Sequence, residues 1–214
     1  ILLSSDNGFF NGSHGLGSKV LPYEEGARVP LIVYDPRHAS TGKGRRIKSV
    51  TGNVDIAATI VDLAGLSVPA DIDGVSLAPL VRGEATRARE VLPLIQAWGP
   101  AGTFCMGVVT EKHKYVYWCY GEGMAPVEEL FDLTKYPYEL RNAAQDPAYR
   151  ATLESMRAHS DEQVRRWKAD AVPYNNYEVF GTLYDRTVPW QKKRPLLQGK
   201  SAGGRGLPRR AHGK

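Results

Sequence analysis

The sequence predicts an α/β segment followed by a smaller α+β subdomain with an antiparallel sheet and a helix, on three observations. Two short apolar runs, Ile1-Leu2-Leu3 and Val29-Pro30-Leu31-Ile32-Val33-Tyr34, each end in polar turn residues, as buried strands do. Val54, Ile56, Ala57, Ile60, Val61, Leu63 and Ala64 recur at helical spacing just ahead of Gly65, a residue suited to ending a helix. Strand-like segments at 91–97, 104–110 and 115–120 then follow one another across short turns, which favours antiparallel pairing.

In chain order, Ile1-Leu2-Leu3 opens into Ser4-Ser5-Asp6-Asn7-Gly8 and a Gly-rich loop from Gly8 to Gly17. In Leu21-Pro22-Tyr23-Glu24-Glu25-Gly26, the proline opens a short helical turn and the glycine closes it. Residues 37–49 are basic and loop-like; Asn53 or Asp55 caps the following helix, with Asp55 and Asp62 read as cap and surface residues. Proline, aspartate and glycine punctuate 68–89, Asp71-Ile72-Asp73-Gly74 included. Tyr115, Tyr117, Trp118 and Tyr120 read as sheet-packing residues. Asp146-Pro147 starts a helix with Tyr149, Leu153, Met156, Val164 and Trp167 along one face and Glu154, Arg157, Asp161 and Arg165 in water. The boundaries expected are 1–88 for the α/β portion, 89–170 for the α+β subdomain and 171–214 for a basic, disordered tail, with no internal repeat.

A chain of 214 residues with 42% hydrophobic content can bury a real core. The formal charge of +5 is local: residues 186–214 hold nine Lys/Arg and no Asp/Glu, and the residues before them carry 19 basic and 23 acidic side chains. Such a tail is a solvated terminus or a nonspecific binder of nucleic acid or anionic membrane. No stretch approaches the ~20 apolar residues of a membrane span, and the compartment is left unassigned. Cys105 and Cys119 flank a turn symmetrically about Lys112; they are read as two buried thiols, with a cross-strand disulfide as the alternative.

Asp6 and Asn7 offer adjacent hard oxygens at a strand end, where they can reach one divalent cation from a fixed direction; Asp-Asn-Gly is also an ordinary turn signal. Lys19, beyond a Gly-rich loop, can hold a sulfate or phosphate oxygen or simply be surface. His14, between Gly12 and Gly15, can donate to an anion or protonate a leaving group, or face solvent. Glu24, Glu25 and Arg28 are read as structural, with a local Glu25–Arg28 pair.

The ordered series Ser-Asp-Asn-Gly, Gly-Ser-His-Gly-Leu-Gly-Ser-Lys and Pro-Tyr-Glu-Glu-Gly-Ala-Arg-Val-Pro-Leu-Ile within residues 4–32 resembles the second half of a sulfatase of the alkaline-phosphatase superfamily. Asn53 to Gly65, Asp73-Gly74-Val75-Ser76-Leu77, and Glu129-Leu130-Phe131-Asp132-Leu133 with Pro137, Glu139, Leu140 and Asn142 extend the resemblance to about residue 168. It implies the C-terminal part of an alkaline-phosphatase-like α/β domain followed by the small subdomain. It also implies metal ligation by Asp6 and Asn7, to Ca²⁺ with Mg²⁺ or Mn²⁺ as substitutes, and sulfate contact by Lys19, with His14 lining the pocket. The family's nucleophile is a formylglycine made in a Cys/Ser-x-Pro-x-Arg motif; Ser67-Val68-Pro69-Ala70-Asp71 has Asp where that motif needs Arg. The expectation is therefore a sulfate-ester hydrolase whose missing N-terminal half comes in cis or in trans, the chain alone being inactive. The alternatives are an inactive binding module with a basic tail, or a phosphonate or phosphate ester hydrolase of the same superfamily.

Overall fold

The computed structural model describes residues 1–38, 44–97, 103–120, 124–173 and 176–197. Strand β1 (Leu2–Leu3) pairs antiparallel with β2 (Ile32–Val33), and the short helix α1 (Glu24–Ala27) lies between them in sequence. Helix α2 (Asp55–Leu63) forms where the apolar spacing predicts it, followed by α3 (Ala78–Arg82), which carries Pro79 in its first turn and ends at Gly83 in the left-handed conformation. Asp55 is buried rather than a plain surface cap. Its carboxylate accepts from the backbone N–H groups of Gly52 and Val75 and pairs with Arg89, so it ties three loop segments together.

The second layer is a four-stranded antiparallel meander: β3 (Leu92–Gln96), β4 (Thr103–Val109), β5 (His113–Tyr120) and β6 (Val127–Asp132), paired in that order. The sequence reading gave three of these strands and missed β6. Its Val-Glu-Glu-Leu-Phe-Asp composition alternates poorly, because both glutamates have partners inside the fold: Glu128 takes Arg157 and the Tyr115 hydroxyl, and Glu129 takes Trp118 and Tyr23.

Both central strands are buried on both faces. One face, carrying Phe104, Met106, Val108, Tyr115, Tyr117 and Cys119, packs on helices. Helix α4 (Arg150–Asp170) begins after a 3-10 turn in which Asp146 caps the N–H of Ala148 and Pro147 takes the first position; it buries Leu153, Met156, Ser160 and Val164. The opposite face, with Cys105, Val116 and Trp118, receives Leu21 and Tyr23 from the N-terminal segment. The aromatic residues of β5 therefore divide between two faces.

The register also settles the cysteines. Cys105 lies opposite Trp118 and Cys119 opposite Phe104, because the turn is the even pair Glu111-Lys112. The two thiols thus point to opposite faces and are free and buried, and burial raises both above the ordinary thiol range.

Residues 176–197, expected to be unstructured tail, instead form α5 (Glu178–Leu183) and α6 (Trp190–Leu197). Phe180, Leu183, Tyr184 and Leu197 join the helix-side core. Lys193 is buried with its ammonium over the Tyr117 ring and donating to the Tyr117 hydroxyl at 2.6 Å. A basic composition hides this docking, since the Lys193 stem packs as apolar surface. The expectation for the remaining tail, 198–214, falls outside the described residues.

Two outcomes follow from this packing. Leu183→Ala empties a fully buried site and is expected to cost about 2–5 kcal/mol in denaturant unfolding, where a residue in a disordered tail would cost nothing. Asp185 is pushed up by burial, but hydrogen bonds from Lys168 and Thr187 outweigh this and hold it at about 2. A carboxylate depressed in the fold adds stability above its unfolded value of about 4. The melting temperature should therefore fall as pH drops from about 4 towards 2, and Asp185→Asn should flatten that limb.

Candidate functional site

Asp6 and Asn7 leave the end of β1 in a loop fixed from two sides. The Gly8 N–H donates to the Gly26 carbonyl at 2.9 Å, and a Cβ at Gly8 would lie 2.0 Å from the Glu25 carbonyl oxygen, so only glycine lets the loop lie against α1. From the other side Asn53, at the start of α2, donates to the Ser5 and Asp6 carbonyls at 2.8 and 3.3 Å and accepts from the Ser4 hydroxyl at 3.2 Å. The carbonyls that precede the two candidate ligands are thus pinned to a helix.

Lys19 reaches the same place through the Gly-rich loop. The loop closes where the Phe10 N–H donates to the Ser18 carbonyl, and Ser18 and Val20 on either side of Lys19 have φ of 67° and 97°. A β-branched residue in that region is strained, so the direction of Lys19 is imposed by the surrounding packing. Its ammonium donates to Asn7 Oδ1 at 2.9 Å and lies 4.0 Å from Asp6 Oδ2. Asp6, Asn7 and Lys19 line one cleft of about 400 Å³ together with Leu94, Ile95 and Gln96 of β3. The sequence reading treated β3 as plain sheet; its contribution to the cleft depends on how the two layers pack and leaves no local signal.

His14 is not part of that cleft lining. It has φ of 56°, its ring stacks on Tyr23 at 4.4 Å between centroids, and its Nε2 lies 3.4 Å from Glu25 Oε2. It borders a different cavity of about 390 Å³, with Leu16, Tyr23, Trp118 and Glu129. The Tyr23 hydroxyl is bonded to Glu129, which also accepts from Trp118 Nε1 at 2.7 Å; burial and then Glu129 push the Tyr23 hydroxyl well above its ordinary range. Glu25 therefore pairs with His14, and Arg28 pairs with Glu24 at 3.5 Å, in place of the expected Glu25–Arg28 contact.

Beside this stack sits Lys114, fully buried, with its ammonium 2.7 Å from Glu24 Oε1, 2.8 Å from Glu139 Oε1 and donating to the Pro22 carbonyl at 2.8 Å. Glu139 Oε2 accepts the Glu24 N–H at 2.6 Å, serving an otherwise unpaired amide at the start of α1. Burial raises the Glu139 carboxyl above its usual range, and Lys114 pulls it back only in part. Among the described residues, His14, Glu25 and Glu139 place donor atoms within 4.8 Å of one another, a spacing that can hold a metal. Glu139 Oε2 accepts the Glu24 N–H, however, and Oε1 faces the Lys114 ammonium at 2.8 Å, so this carboxylate already serves to join the N-terminal segment to the sheet. The group is a clasp between the N-terminal segment and the sheet.

These features define an α/β protein whose strand-end loop is clamped onto an antiparallel subdomain. The family profile described as N-sulphoglucosamine sulphohydrolase, C-terminal, matches residues 12–167. An arylsulfatase of Clostridium perfringens is 32% identical over 158 residues, covering 73% of this chain and 31% of that protein. The solved structure of a 2-O GAG sulfatase superposes with a TM-score of 0.67 at 30% identity, covering 77% of this chain and 36% of the other. The phosphonate monoester hydrolase of Agrobacterium radiobacter superposes at 0.61 with 26% identity, covering 75% and 35%. The chain belongs to the sulfatase family, in its C-terminal part, and its architecture is that part of the alkaline-phosphatase-like α/β fold. It spans about a third of the length of these relatives.

Lys114→Met removes the cation and leaves Glu24 and Glu139 facing each other in the interior. The expected loss is about 3–5 kcal/mol in denaturant unfolding. Pairing it with Glu139→Gln should recover part of that loss, because one uncompensated charge is then gone.

Proposed function

We propose that this chain supplies the C-terminal part of a metal-dependent sulfuric ester hydrolase, and that turnover needs the residues equivalent to the relatives' other two-thirds, in cis or in trans. The observation that carries this reading is the convergence of Asp6, Asn7 and Lys19 on one cleft. Apolar residues exposed on β1, β2 and α2, among them Leu3, Ile32 and Ile60, support the packing of further polypeptide there.

The donor set suits a hard divalent cation: a carboxylate and an amide oxygen on one pinned loop. Asp6 Oδ and Asn7 Oδ1 would hold Ca²⁺, with Mg²⁺ or Mn²⁺ able to use the same oxygens, and two ligands alone would hold it weakly. When bound, such an ion supplies Lewis-acid polarisation of a sulfate oxygen. Lys19 binds a second sulfate oxygen and stabilises the charge that grows as the ester S–O bond breaks. Asn53 and Gly8 keep Asp6 and Asn7 in place for this, so little reorganisation is needed at the moment of reaction. His14 serves through the clasp, by holding Tyr23 and Glu25, rather than by proton transfer to the substrate. The formylglycine nucleophile and further ligands belong to the remaining two-thirds.

A second reading keeps the site and changes the ester. The superposition on a phosphonate monoester hydrolase favours it, since a lysine and a divalent cation serve either tetrahedral anion. Parallel assays on phenyl sulfate and on the monophenyl ester of methylphosphonate, each releasing phenol, decide between them.

With the remaining two-thirds present and Ca²⁺ supplied, phenyl sulfate should be hydrolysed. Lys19→Ala should lower kcat by about 10²–10³, and chelation of the metal should abolish turnover reversibly. Turnover by the 214-residue chain alone that is lost in Lys19→Ala would overturn the requirement for the other residues.

A further inference from the structure

One side chain in the cleft reaches both candidate metal ligands. The Lys19 ammonium donates to Asn7 Oδ1 at 2.9 Å and lies 4.0 Å from Asp6 Oδ2. The ligand atoms are held in that direction by bonds of their own. Asn7 Nδ2 donates to the Gly8 carbonyl at 2.8 Å, so the amide oxygen is the atom that meets Lys19. The Ser5 hydroxyl donates to Asp6 Oδ1 at 3.4 Å, which leaves Oδ2 on the Lys19 side. The backbone around Lys19 is held as well: the Ser18 carbonyl accepts the Phe10 N–H, and the Pro22 carbonyl accepts from Lys114. The ammonium therefore relocates by rotation of its own side chain, which is 45% exposed and has room to turn.

The cation of the sulfatase reading draws on the same two oxygens. With Ca²⁺–oxygen distances of about 2.3–2.6 Å, an ion and an ammonium that share Asn7 Oδ1 stand at most about 5.5 Å apart. Two positive charges at that range repel, and of the two ligand side chains only Asp6 carries a charge to offset them. A sulfate group changes the balance. Its oxygens accept from Lys19 and carry the negative charge that lets ammonium and metal stand close together.

We propose that Lys19 and the divalent cation compete for Asn7 Oδ1, so that metal binding takes the ammonium off its own ligand contact and makes it available to the sulfate oxygens. The Lys19–Asn7 hydrogen bond is then an autoinhibitory contact, in which the anion-binding group of the site occupies one of its metal ligands. By linkage, sulfate must tighten metal binding by the same factor as the metal tightens sulfate, and Lys19 supplies part of that factor. This rests on the sulfatase reading above and adds a coupling between its two ligands that the separate roles of Asp6, Asn7 and Lys19 do not contain.

Calorimetric titration of the assembled protein with Ca²⁺, with and without inorganic sulfate, tests this without turnover. Lys19→Met should bind Ca²⁺ about tenfold more tightly than the wild type in sulfate-free buffer, even as turnover falls. Added sulfate should tighten Ca²⁺ binding in the wild type and do so less in Lys19→Met. Lys19→Arg, which keeps a cation at that place, should stay near the wild-type affinity. Lys48→Met removes an exposed charge of the same sign outside the lining of this cleft and should leave the affinity unchanged. An equal gain in Lys48→Met would reduce the effect to overall charge and overturn the proposal. Unchanged or weaker Ca²⁺ binding in Lys19→Met, or equal tightening by sulfate in both proteins, would overturn it too, leaving the sulfatase reading intact. A wild type that binds no Ca²⁺ in either buffer would remove the metal site of that reading, and the competition with it.

Discussion

The buried ammonium of Lys114 is the contact on which the arrangement of the two layers depends. One cation on β5 meets Glu24 on α1, Glu139 after β6 and the Pro22 carbonyl, and so joins the N-terminal segment to the sheet at a single point. Each carboxylate has a further partner, Arg28 for Glu24 and the Glu24 N–H for Glu139, which reduces the desolvation cost of the buried charges. Around it, Tyr23 stacks on His14 and bonds Glu129, which Trp118 also holds. An apolar contact could press these layers together, but only directional bonds fix their register.

That register is what makes the cleft. Lys19 and Asn7 come from loops on one side of α1, while Leu94, Ile95 and Gln96 come from the edge strand of the sheet. A slip of the sheet by one residue would turn Lys114 and Cys105 to the helix face and remove the wall. The clasp and the cleft are therefore linked through α1, whose glycine at 26 admits the Phe10 ring: a Cβ there would meet the ring at 2.9 Å.

Much of this was legible in local sequence. The Asp6-Asn7-Gly8 loop, Lys19 and the α2 helix follow from short-range pattern, and the ordered series through Pro137 and Asn142 indicated the sulfatase family. What was not legible is long-range. Lys114 follows the Glu111-Lys112 turn closely, yet its partners lie 90, 92 and 25 positions away. Glu128 and Glu129 disguise β6 because their carboxylates accept hydrogen bonds from residues on α4, β5 and the N-terminal segment, Arg157 among them. Lys193 and its basic neighbours disguise α6, though Tyr117 receives that ammonium in the core. His14 is less direct: its motif position suggested the pocket, and its ring stacks on Tyr23 with Nε2 3.4 Å from Glu25 Oε2, outside the lining of the Asp6–Asn7–Lys19 cleft.

The most direct test is the anomalous scattering of Mn²⁺ in crystals of the assembled protein soaked with sulfate. A peak within coordination distance of the Asp6 and Asn7 side-chain oxygens, with sulfate hydrogen-bonded to Lys19, is the predicted result. A peak between His14, Glu25 and Glu139, with none at Asp6 and Asn7, would contradict the assignment of cleft and clasp.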